Sequence, residues 1–158
     1  MRILVIGLGN PILGDDSVGL QVARAVRSAV VARKDVDVVE ETHGGLKLME
    51  RMIGYDRVIV VDAVTSGEPA GTIHELRLDG RPSHRSGSAH DVDLPTALAV
   101  GRQAGAPLPS DENILLIGIA ADEVETFGEA LTPPVAAAVP RAAGLVLESL
   151  PITQKEAR

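Results

Sequence analysis

Apolar residues fall along this chain in two kinds of block. Short, mostly unbroken runs at residues 3–6, 36–39, 58–61 and 114–119 have the length and β-branched content of buried strands. Between them the apolar positions recur on a helical period. Val18, Val22, Val26 and Val30 predict a helix over 17–31, with Asp16 or Ser17 as its N-cap. Leu46, Met49 and Ile53 predict a helix over 46–53 that buries those three side chains. Helices over 94–104 and 134–150 follow, the last with Pro140 as a kink or break. Residues 72–78 alternate, Ile73, Leu76 and Leu78 against His74, Glu75 and Arg77, as a half-exposed edge strand does. Residues 81–88 read as a mobile polar loop. Strands alternating with helices predict an α/β fold: a three-layer, doubly wound, mostly parallel sheet with helices on both faces and one antiparallel edge strand. It occupies a single domain over residues 1–150, with 151–158 as a frayed tail.

Composition narrows the function classes. The 158 residues suffice for a core without staples, and with one Phe, one Tyr and no Trp that core is aliphatic. The absence of cysteine excludes a disulfide framework, a thiolate zinc site and a cysteine protease, and fits a cytoplasmic chain. The net charge is -7, and the 15 basic residues form no dense stripe, which argues against a nucleic-acid partner. The opening MRILVIGLGN turns polar too soon for a signal peptide, and no run approaches the roughly 18 apolar residues of a membrane helix.

In a doubly wound sheet, ligands bind beyond the C-terminal ends of the parallel strands. The first predicted strand leads into "GLGNPILGDDSVG", with Gly7, Gly9 and Gly14 spaced like parts of a nucleotide-binding turn. A dinucleotide fingerprint has its third glycine earlier, and a P-loop has Lys and Ser/Thr where this chain has Asp15 and Asp16. Carboxylates aimed at a phosphate would repel it. A cation or a scissile peptide suits the turn better, with one Asp structural and the other, Asp16, facing the site. Asp62 closes the third run and is either a cap on the next turn or a site residue. His90, in "SAHDVDL", is either a solvated loop histidine or a ligand; Asp91 and Asp93 read as N-terminal charges of the helix that follows. His43, after the second strand, could reach the same crevice or cap a turn, and His74 and His84 read as surface residues.

Taken together, "GLGN", "GDDSVG", "VVDAV", "SAHDVDL" and a late "LTP" before the final helix resemble the nickel–iron hydrogenase maturation endopeptidases over nearly the whole chain. The resemblance implies removal of a short C-terminal extension from a nickel-loaded hydrogenase large-subunit precursor. It implies metal contacts at Asp16, Asp62 and His90, with the nickel brought mainly by the substrate, and Asp15 and His43 as supporting or substrate-contacting groups. Catalysis would fall to Asp16 and Asp62. Two mechanisms stay open: water activated by a carboxylate beside the metal, or an aspartic-type dyad sharing one proton. The turn after the second strand, Glu41-Thr42-His43-Gly44-Gly45, departs from the family's usual glycine-rich form and adds an imidazole. A non-catalytic nickel carrier on the same scaffold is the competing expectation.

Overall fold

A computed structural model of the chain describes residues 1–78, 93–122 and 127–153. Its elements are β1 (Ile3–Leu8), α1 (Val18–Ala29), β2 (Val36–Glu41), α2 (Gly45–Met52), β3 (Arg57–Val64), β4 (Ile73–Arg77), α3 (Leu94–Gln103), β5 (Ile114–Ala120) and α4 (Pro133–Glu148). The five strands form one sheet in the order β2-β1-β3-β5-β4, parallel except for β4, which pairs antiparallel with β5 at the edge. Alternation along each strand splits the core in two. Ile3, Val5, Ile59, Val61, Ile117 and Ile119 pack beneath α1 and α4. Leu4, Ile6, Val58, Val60 and Ile114 pack beneath α2 and α3 on the other face. The expected three-layer architecture is the one observed.

Several boundaries move, each for a physical reason. β1, β2 and β3 run past the predicted apolar runs, to Leu8, Glu41 and Val64, because backbone pairing with neighbouring strands continues through the intervening Gly7, Glu40 and Asp62. Asp62 is therefore inside β3 and is no cap on the next turn. In α2 the buried residues are Leu48, Met49 and Met52, while Leu46 and Ile53 face outward. The predicted face was one residue out of phase at both ends: Gly45, Leu48, Met49 and Met52 supply the i, i+3, i+4, i+7 stripe. Helix α1 begins only at Val18, after a 3-10 turn over Gly14–Ser17, and Ser17 bonds back to the Gly14 carbonyl at 2.8 Å instead of capping. Helix α4 continues through Pro140 without a break. The predicted loop at 81–88 lies outside the described residues, as does the end of the tail. Among the described residues, no helix is long and apolar enough to cross a membrane.

Candidate active-site crevice

The winding of the sheet reverses at β1. From β1 the chain crosses to β2 on one side, whereas β3 lies on the other. The C-terminal ends of β1 and β3 thus flank the topological switch point, where a crevice opens in folds of this kind. β1 delivers the glycine turn to that point, and β3 delivers Asp62.

The turn is fixed by close backbone packing. A Cβ on Gly9 would collide with the Asp16 carbonyl, and one on Gly19 would collide with the carbonyls of Leu8 and Val61. Glycine at 19 thus lets the start of α1 lie directly against both β1 and β3. Residues 14–17 pack against β3, the strand that carries Asp62, as a result. The Asp16 carboxylate accepts from the Asn10 N–H at 3.0 Å, and the Asp16 N–H donates to the Leu13 carbonyl at 2.9 Å. Those bonds close residues 10–16 into a compact loop.

The two adjacent acids have different surroundings. Asp15 is 4% exposed, and its two oxygens accept from the Thr132 N–H and hydroxyl, each at 2.7 Å. Thr132 is the N-cap position of α4 and is followed by Pro133 and Pro134, so Asp15 meets a helix N-terminus that otherwise has an unbonded donor. Gly128 adds a second stitch: it donates to the Ile12 carbonyl at 2.8 Å and accepts from the Gly14 N–H at 2.7 Å. Asp15 thus ties the glycine turn to the final helix, while Asp16 stays partly exposed at the loop's closure.

Asp62 lies in register with Gly118 of β5, which lies in register with His74 of β4. Alternation after Val58 and Val60 turns Asp62 to the face covered by α2 and α3, and its Oδ1 is withdrawn from solvent. His74 is half-buried at the edge rather than on the open surface, with Nε2 3.3 Å from the Ser66 hydroxyl. The candidate ligand His90 and the neighbouring Asp91 lie outside the described residues. The chain resumes at Asp93, which caps α3 by accepting from the Thr96 N–H at 2.8 Å. Among the described residues, no three His, Asp or Glu side chains stand close enough to hold a metal ion by themselves. The donor set Asp16, Asp62 and His90, two hard carboxylates and one imidazole, has the chemistry of a divalent transition-metal contact.

At the exit of β2 the structure assembles a group that sequence spacing did not signal. Glu41 is 7% exposed. One oxygen accepts from Arg51 Nε at 2.8 Å, and the other accepts from the His43 N–H at 3.1 Å and lies 3.2 Å from His43 Nδ1. Burial works to raise the Glu41 carboxyl, but the hydrogen bonds from Arg51 and His43 and the Arg51 charge outweigh it and hold it below the ordinary glutamate value. His43 is thus oriented by Glu41 at the edge of a cleft of about 480 Å³ that also touches Thr42 and Lys47. A buried glutamate ending a strand, ten residues before an arginine on the next helix, is the signal that was available.

Known proteins resemble this chain over most of its length. The sequence model of the hydrogenase maturation protease family matches residues 20–149. The hydrogenase 2 maturation protease of Escherichia coli is 29% identical over 153 residues, covering 95% of this chain and 91% of that protein. The hydrogenase expression/formation protein HupD of Thiocapsa roseopersicina is 28% identical over 152 residues, covering 94% of this chain and 67% of HupD. Among solved structures, the hydrogenase maturating endopeptidase HybD from E. coli superposes with a TM-score of 0.78 at 28% identity, covering 95% of this chain and 92% of its own. A hydrogenase 2 maturation peptidase from Thaumarchaeota archaeon SCGC_AB-539-E09 gives 0.69 at 27% identity, with coverage of 94% and 97%. The family match over most of the length, on a fold whose switch point receives a glycine turn and an aspartate, places the chain in the hydrogenase maturation protease family as an endopeptidase.

Proposed function

We propose that this endopeptidase removes a C-terminal extension from a nickel-loaded hydrogenase large-subunit precursor, with Asp16 and Asp62 as its reacting carboxylates. The observation that supports the reading is the packing of Gly19 against Leu8 and Val61, which lays the turn carrying Asp16 against β3, the strand that carries Asp62. Asp16, Asp62 and His90 contact the substrate's nickel, which serves as the mark that the precursor is ready. A carboxylate of this pair accepts a proton from the attacking water and returns it to the leaving amine as the peptide bond breaks. A set of two carboxylates and one imidazole suits a metal-marked substrate better than a proton-sharing dyad, so the water is activated next to the metal rather than between the two aspartates.

The test is cleavage of purified precursor with and without inserted nickel, read as mass lost at its C-terminus. Only the nickel-loaded form is expected to be cut. Asp16→Asn and Asp62→Asn should each slow cutting by about 10²- to 10⁴-fold, the range general acid–base groups supply. Equal rates in these variants and the parent would refute the assignment. Tight binding of free nickel with no cleavage of the correct precursor would instead indicate a carrier.

A further inference from the structure

The one phenylalanine of the chain is not in its core. Phe127 is 79% exposed, and Ile12 is 51% exposed. Single exposed apolar residues are ordinary, but these two are neighbours in a fixed frame. Leu13 and Gly128 form a parallel bridge, so Ile12 and Phe127 occupy the adjoining positions just before it on the two segments. The Gly128 N–H bonds the Ile12 carbonyl, and the Gly14 N–H bonds the Gly128 carbonyl. Thr132 is bound to Asp15 further along. Both residues thus lie on backbone that is already ordered, so covering them costs little additional ordering.

Their position gives them a use. Ile12 belongs to the compact loop whose closure is the Asn10–Asp16 bond, so the pair sits at the rim of the crevice beside Asp16. An extended peptide advances about 3.3 Å per residue, so a chain with its reacting bond at Asp16 reaches this rim within about three residues. An exposed apolar pair selects by shape and desolvation rather than charge. Resting on the function proposed above, the geometry points to Ile12 and Phe127 as a specificity clamp. They take one apolar side chain of the precursor's C-terminal segment, within about three residues of the bond that is cut.

The experiment is steady-state cleavage of nickel-loaded precursor by Phe127→Ala, Phe127→Leu and the Ile12→Ala/Phe127→Ala double variant, with urea midpoints as a fold control. Phe127→Ala should lower kcat/KM by about ten- to thirty-fold, mainly through KM, as loss of an aromatic contact at a docking site does. Phe127→Leu should restore most of it. Apolar residues near the cut bond are replaced by Asn one at a time. At one position the loss should be large with the parent enzyme and much smaller with Phe127→Ala, the non-additivity of a direct contact. Parental kcat/KM in the double variant would overturn the clamp while leaving the protease intact. So would an effect confined to molecular mass, which would make the patch a contact between two copies of the chain. Failure of the parent enzyme to cut any precursor would remove the proposed function and the clamp with it.

Discussion

β1 and β2 end side by side, and the two turns that follow them are held in opposite ways. After β1, Gly9 and Gly19 leave no room for a side chain, and the position of Asp16 is set by backbone against backbone. After β2, a Cβ on Gly44 would meet nothing within 4 Å, and the turn is held by charged side chains, Glu41 to Arg51 and His43. Steric packing at the first exit is insensitive to salt and pH. A network of charges at the second responds to both. The residue proposed for chemistry thus stands on the rigid turn, and the adjustable turn lies one strand away.

The strongest way to break this contrast is at its tightest contact. Gly19→Ala should cost about 3 kcal/mol or more of stability despite the better helix propensity of alanine, because two carbonyls occupy the place of the new methyl. Gly44→Ala, on the open turn, should stay within about 1 kcal/mol; urea midpoints of both variants decide whether the two exits differ as described. Next in size is Asp15→Ala, which removes the buried acceptor of both the Thr132 N–H and its hydroxyl and should cost about 2 kcal/mol. Thr132→Ala, which keeps the backbone bond, should cost about half that, read in the same assay.

The pH response of the second turn sharpens the comparison. The Glu41 carboxyl lies below its ordinary value of 4.5 in the fold, so its ionised form favours the folded state. That contribution is complete above 4.5 and is lost as pH falls through the lower folded value. Unfolding of Glu41→Gln should therefore depend less on pH across the acidic carboxylate range than the parent does. A parallel pH dependence in the two proteins would contradict this. The smallest effect is expected on the outer side of β2. There Glu40 pairs with Arg24 at 2.7 Å and Arg27 at 3.3 Å, with all three side chains partly in solvent. Glu40→Gln should cost about 0.5 kcal/mol at low ionic strength and nothing measurable in 1 M salt.

The layers were legible in the sequence because buried parallel strands are apolar almost throughout, and the runs before Leu8, Val39, Val61 and Ile119 announce themselves. What polar residues do at strand ends was not legible. Glu41 and Asp62 extend their strands by pairing that hydrophobicity cannot register. The phase of α2 failed because Leu46 and Ile53 are apolar yet outward, leaving Gly45 and Met52 to complete the stripe. The glycine turn and a structural role for one of its two acids were visible, but not what that acid binds. The partner of Asp15 is Thr132, with 117 residues separating them. Only the Thr-Pro-Pro start of α4 hinted at a helix end in need of an acceptor.

That long separation also bears on the order in which the protein becomes itself. A ribosome adding roughly 5–20 residues per second takes on the order of ten seconds to supply the 117 residues that separate Asp15 from its partner. During that interval the Asp15 carboxylate has no Thr132 to bond. A nascent or prematurely terminated chain lacking α4 carries both aspartates without the Thr132 bonds that hold Asp15.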